Sequence, residues 1–257
     1  LTEIQIWELA AIFVVVAMFY SSVGHAGASG YLAAMAIVGV APELMRPTAL
    51  TLNIVIAAFT TWRFRGARFF DAKIVGAFLA GSVPLAFIGG GIKLPSEIYK
   101  LLVGVVLLCS ATYLVWRSYS KRWQSDPAAE TPVTVPIFIA PFIGAAVGLL
   151  SGLTGTGGGI FLSPIILLMA WAGPKATAGI AAPFIMVNSI AGLSGGLYKG
   201  SFALATIPNA VVPLCAAALV GAILGTWLGL YKLSNRLLIL TLAFVMLIAS
   251  GKLLGLT

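Results

Sequence analysis

Ten apolar runs alternate with short polar or small-residue stretches along the 257-residue chain, at about 4–20, 28–40, 47–62, 72–92, 98–116, 136–150, 158–172, 176–198, 203–230 and 236–254. None has the polar and apolar alternation of a barrel strand, so each predicts a helix. Several reach the roughly 20 residues that a helix needs to cross a bilayer. Composition sharpens this reading: 60% of residues are hydrophobic and 9% charged, against about 25% charged in a soluble domain. A water-soluble core cannot absorb that excess, and the expected fold class is an all-α, multi-pass integral membrane protein. Glu3 and Glu8 flank the first run in place of basic residues, so a removable signal peptide is not expected.

The pattern also repeats. "SSVGHAGASGYL" at 21–32 answers "SGLTGTGGGIFL" at 151–162, "FRGARF" at 64–69 answers "YKGSFA" at 198–203, and "KLPSEIYKLL" at 93–102 answers "KLSNRLLIL" at 232–240. Two repeats are expected, 1–117 and 136–257, joined by a polar linker at 118–135. Each reads as an apolar segment, a small-residue break, a short apolar segment and three longer ones. Residues 4–40 are nearly twice the length of one span, whereas 28–40 alone is too short to cross comfortably. The two pieces therefore predict a re-entrant hairpin. Three spans follow it, so each half crosses an odd number of times and the halves are inverted. Basic loops mark the cytoplasmic side. The inverted arrangement leaves only Arg46, Lys93, Lys100, Lys199 and Lys252 outside among the 15 Lys and Arg residues, against six outside for parallel halves. The same distribution assigns the net charge of +8 to topology rather than to nucleic acid.

Non-helical backbone at membrane depth survives only where protein or a water-filled cavity satisfies it. In inverted halves the turn around Gly24–Gly30 enters from one face and the turn around Gly152–Gly159 from the other, so that both half-helices start near the midplane. Their unpaired amides and positive dipole ends make an anion site, which glycine lets a ligand approach closely. The expected substrate-binding residues are Ser21, Ser22, Gly24, His25, Gly27 and Ser29 in the first half. Thr154, Gly155, Thr156, Gly157, Gly158 and Gly159 are their counterparts in the second half, with Ser151 as a further hydroxyl donor. Asn53 and Asn188, polar in apolar surroundings, either bind substrate or bridge helices. His25 is the only histidine; it lines the pathway, and carries a coupling proton, or it is a neutral ring bonded to a neighbouring helix.

Other uses of these letters fit less well. "GTGGG" is followed by no Lys-Ser or Lys-Thr and preceded by no strand, which excludes a Walker loop and a dinucleotide fingerprint. "GASG" at 27–30 matches an intramembrane serine protease, but the dyad needs a histidine from another helix and none exists, so no enzyme is expected. Gly144 and Gly148, Gly192 and Gly196, and Gly221, Gly225 and Gly229 have the small-xxx-small spacing of helix packing. Cys109 and Cys215 lack metal-ligand spacing, and no metal or cofactor is expected.

"GTGGGIFLSP" with its half-helix, the downstream "YKG" and the closing "KLSNRLLILTLAFVMLIASGKLL" resemble the TauE/SafE sulfite exporter family, also called the toluenesulfonate uptake permease family, over essentially the whole chain. The resemblance implies movement, by export, of sulfite, sulfonates or related sulfur oxyanions across the bacterial cytoplasmic membrane. It leaves room for proton coupling and for a homodimer; a passive anion channel is the alternative. The first half departs from the pattern, reading "GHAGASG" where the second has "GTGGG".

Overall fold

The computed structural model describes residues 3–66, 70–119, 134–169, 171–202 and 210–231, together with 240, 243, 244, 247, 250, 251, 254 and 255. Nine helices account for nearly all of them: α1 (Glu3–Ser22), α2 (Ala28–Val38), α3 (Pro42–Gly66), α4 (Ala72–Gly91), α5 (Ser96–Tyr119), α6 (Ala140–Thr154), α7 (Gly159–Leu168), α8 (Pro174–Tyr198) and α9 (Val211–Tyr231). The described residues contain no strand. Each of the first nine apolar runs corresponds to one helix. Residues 120–133 of the linker, 232–239 of the "KLSNRLLIL" repeat and most of the tenth run lie outside the described residues, while 118 and 119 belong to α5. From that last region Ser250 donates to Gly104 O of α5 at 2.9 Å.

Several boundaries differ from expectation by about a turn or more, and the start of α3 is the most informative. The third run begins at about 47, yet α3 starts at Pro42 and carries Pro47 inside it. Glu43, Arg46 and Pro47 look like a loop when read by hydropathy. Glu43 instead sits in the first turn, where a carboxylate complements the helix dipole. Arg46, counted among the outside cations, lies buried in the helix.

The helices stop where glycine takes a left-handed backbone. Between α1 and α2, Gly24 and Gly27 have φ of 80° and 105°; between α6 and α7, Gly155, Gly157 and Gly158 have φ of 78°, 76° and 83°. A Cβ is strained in that region, so these positions set the two breaks.

Packing is closest where small residues let backbones touch. α4 lies against α6, and α1 against α9, over the most extensive interfaces in the molecule. Gly144, Gly148 and Gly152 of α6 stand over the carbonyls of Phe78, Ser82 and Ala86, where an added Cβ would collide. Both sets of numbers rise together, so α4 and α6 run parallel. Gly221, Gly225 and Gly229 of α9 cover the carbonyls of Val14, Met18 and Ser22 in the same way, so α1 and α9 are parallel too. Without a hydrophobic drive between helices in lipid, such contacts supply the attraction.

α3 and α8 cross antiparallel. Asn53 meets Ser189 and Leu50 meets Gly192, one number falling as the other rises. These two helices are the centre of the molecule: 61% and 72% of their apolar windows are buried, against 33% to 39% for α1, α4 and α9. All five are long and apolar enough to cross a membrane. Trp7, Trp62 and Trp116 are exposed near helix ends, as in an interfacial aromatic belt.

Candidate substrate site between the two helix breaks

The second break is built of bare backbone pressed against α3 and α8. A Cβ added to Gly157 would stand 2.6 Å from Asn53 Nδ2, 2.7 Å from Ile185 Cγ2 and 2.9 Å from Ser189 Oγ. Only glycine admits the chain there. At Gly158 the neighbours are the Phe184 ring, Val147 and Ser151, and at Gly159 they are Ile185 and His25. Gly158 is the N-cap of α7 and offers no side-chain cap, so the first amides of that helix have no intrahelical acceptor. Thr154 and Thr156 join their hydroxyls at 2.9 Å, and Thr154 also donates back to Leu150 O at 2.7 Å. The backbone of Gly155 packs on Arg46.

The first break is closed by its own side chains. Tyr20 OH and Ser29 Oγ are 2.6 Å apart, Tyr31 OH donates to Ala26 O at 2.7 Å, and Ser22 Oγ donates to Phe19 O at 2.6 Å. Gly24 packs on Ala178 of α8, and Gly27 leaves room for the Tyr31 ring. The pairing of Ser29 with Tyr20 leaves no serine–histidine dyad there. His25 Nδ1 is 3.1 Å from Val23 O, and Nε2 is 3.1 Å from Gly159 O.

Some of the expected site residues thus come together and others do not. His25 of the first break reaches the start of α7, and Asn53 of α3 reaches Gly157. Asn188 donates to Phe184 O one turn back along α8, at 2.9 Å. Ser22, Ser29, Gly24 and Gly27 serve their own hairpin or its packing. Ser21 is buried with its hydroxyl unpartnered.

Ser151, whose side chain lies beside Gly158, has a buried hydroxyl without a partner, and the amide oxygens of Asn53 on α3 and Asn188 on α8 are buried without one too. Thr48 Oγ1 on α3 is a further one. Each such group costs about 1–3 kcal/mol unless something bonds to it. A polar ligand between α7 and the α3–α8 crossing would offset that cost. The breaks, α2, α7 and α8 contain no Asp or Glu to repel an anion.

Sequence reasoning missed Ser189 and Arg46. Ser189 adjoins Asn188 but faces Asn53 only because α3 and α8 cross there. Arg46 donates from Nη1 to Ile92 O at 3.0 Å and from Nη2 to Gly89 O and Gly90 O at 2.7 Å, and also to Gly152 O. It joins α3 to the C-terminal ends of α4 and α6, where carbonyls lack helical partners. An arginine beside a proline in an otherwise apolar stretch was the available signal.

The sulfite exporter TauE/SafE family model matches residues 9–253. A relative from Sinorhizobium fredii, named "Probable membrane transporter protein y4hK", is 34% identical over 246 residues, covering 96% of this chain and 97% of its own length. No solved structure matches the chain. The family match spans the helices, both breaks and the α3–α8 crossing together, and the chain belongs to the TauE/SafE sulfite exporter family of membrane transporters.

Proposed function

We propose that the protein moves sulfite, an organosulfonate or a related small sulfur oxyanion across the bacterial cytoplasmic membrane, as an exporter, and binds it at the second break. The observation that carries this reading is the start of α7, which has no side-chain cap, beside the buried and unpartnered hydroxyl of Ser151. An oxyanion accepts from α7 amides and from hydroxyls, and needs no fixed cation. Gly155, Gly157, Gly158 and Gly159 bring main chain to the ligand; Thr154 and Thr156 shape its edge, and Ser189 holds Asn53.

Residues 1–117 and 136–257 act as inverted repeats with 118–135 between them. The antiparallel crossing of α3 and α8 supports this, because both are 25-residue helices at the same place in their halves; repeats related by an axis along the membrane normal would set them parallel. The lengths of α2 and α7, 11 and 10 residues, support re-entrant hairpins: at about 1.5 Å per residue each covers only half of a roughly 30 Å hydrocarbon core.

Uptake by purified protein in liposomes, across sulfite, thiosulfate, sulfate and methanesulfonate, tests the substrate class. Ser151→Ala tests the site. Removing an unpartnered hydroxyl leaves stability unchanged or raises it by up to about 1 kcal/mol, while half-saturation for the transported anion rises at least about fivefold, as expected for one lost hydrogen bond of about 1 kcal/mol. Unchanged half-saturation in Ser151→Ala would move the anion away from the second break.

A further inference from the structure

His25 joins the two breaks, and both of its ring nitrogens face carbonyl oxygens, Val23 O and Gly159 O. A carbonyl only accepts, and neutral imidazole has a single N–H. In the neutral ring one of these contacts therefore sets lone pair against lone pair. The imidazolium donates to both. We propose that His25 is a proton-binding site that fills and empties together with the anion site, so that proton and anion binding are coupled. This inference rests on the anion-transport reading above.

Gly159 connects the two ligands. It is the first residue of α7, whose amides and positive dipole end receive the anion, and its carbonyl receives the His25 proton. A cation beside the positive end of a helix is unfavourable until a negative charge arrives, and an anion there is held more tightly once the ring is charged. Each ligand strengthens the other, and the coupling is reciprocal.

The titratable and charged side chains of the surrounding elements are few. Tyr20 on α1 and Tyr31 on α2 are engaged with Ser29 and with Ala26 O. On α7 no side chain titrates, and on α8 the charged residue nearest Gly24 in sequence terms is Lys175, one turn before Ala178. Arg46 on α3 is bound to the carbonyls of α4 and α6, while Cys215 and Tyr231 are the titratable side chains of α9. No carboxylate on α2, α7, α8 or the breaks is available to neutralise an imidazolium. A proton on Nδ1 or Nε2 plus a monoanion makes a net-neutral load, which suits passage through a site of low dielectric.

With only one histidine in the chain, its ring is directly readable. Protein labelled with ¹⁵N-histidine, in lipid nanodiscs, is followed by NMR between about pH 5 and 8, the range in which histidine switches charge. The expected result is a ring protonated on both nitrogens at the acid end, with the doubly protonated state extended to higher pH by methanesulfonate. A ring with one N–H at every pH overturns the proposal, whatever is found for transport. In liposomes, methanesulfonate uptake should fall about tenfold per pH unit once the ring loses its proton, and His25→Gln should flatten that profile. A His25→Gln protein that transports with the wild-type pH profile also overturns it. If the wild type transports no sulfonate or sulfite, the substrate reading fails, and the ring spectrum still decides the proton site.

Discussion

The two breaks each precede a short helix, α2 or α7, and are built in opposite ways. Each packs on the fifth residue of a 25-residue helix that begins with proline: Gly155 on Arg46 of α3, and Gly24 on Ala178 of α8. Around the first break Tyr20 pairs with Ser29 and Tyr31 with Ala26 O, while Ser21 Oγ is buried without a partner. Around the second, buried Ser151 Oγ and Asn53 Oδ1 have no partner. The first carries a titratable ring, while the second borders a fixed cation whose Nη1 and Nη2 donate to carbonyls at the ends of α4 and α6. Similar left-handed glycine backbone thus occurs at two points and carries different side-chain chemistry at each. Side-chain hydrogen bonds close most of the first break; the second leaves the Ser151 hydroxyl open beside the start of α7.

The largest expected effect comes from erasing the difference between Arg46 and Ala178. Arg46→Gln strips donors from carbonyls of Gly89, Gly90, Ile92 and Gly152, at about 1–3 kcal/mol for each buried acceptor left unpaired. A loss of more than about 3 kcal/mol is expected, read as a lower unfolding temperature in detergent or nanodiscs. Ala178→Gly, at the equivalent place, should cost about 1 kcal/mol, the helix propensity of glycine relative to alanine. Equal losses at both positions would mean that the cation does not distinguish the halves.

A smaller effect is expected from adding one methyl group to the second break. Gly157→Ala puts a Cβ among Asn53, Ile185 and Ser189, displacing the groups assigned to the anion. Gly39→Ala is the control, since Gly39 has a similar φ of 82° but open space around it. Both substitutions bear left-handed strain of about 1–2 kcal/mol. Only Gly157→Ala should lower uptake further, by at least about tenfold, equivalent to about 1.4 kcal/mol of lost binding. Equal uptake by the two variants would show that the crowded face of Gly157 is not where the ligand sits.

How much of this was legible in the sequence follows from which interactions are local. Five glycines within 151–159 interrupting an apolar segment specify a break by backbone sterics alone, and the α2 and α7 boundaries came out within a few residues. The small-xxx-small glycines likewise predict close packing, though not which helix they pack on. Arg46 was not legible. Its side chain is buried because α4 and α6 end beside it and present carbonyls without helical partners, a coincidence of three helix positions that hydropathy does not record. Ser189 depends in the same way on the register of the α3–α8 crossing. His25 was legible as a candidate because an ionisable group in an apolar chain stands out, but its two carbonyl neighbours come from opposite halves, 23 and 159.

The smallest expected effect separates the two breaks by the fate of one hydroxyl. Ser29 and Tyr20 are both buried, and their oxygens are 2.6 Å apart, so either truncation strands the other group. Ser29→Ala and Tyr20→Phe should each cost about 1 kcal/mol, the net worth of a buried hydrogen bond. The double variant should cost less than the sum, because removing both partners leaves nothing unsatisfied. Methanesulfonate half-saturation should stay within about twofold of wild type in all three, since a change below about 0.5 kcal/mol would not be felt as lost binding. This is the reverse of Ser151→Ala, where stability holds and affinity falls. Additive stability losses would remove the Tyr20–Ser29 bond from the description of the first break. A fall in affinity matching that of Ser151→Ala would show that both breaks hold the anion, and the contrast between a largely closed break and one open at Ser151 would not survive.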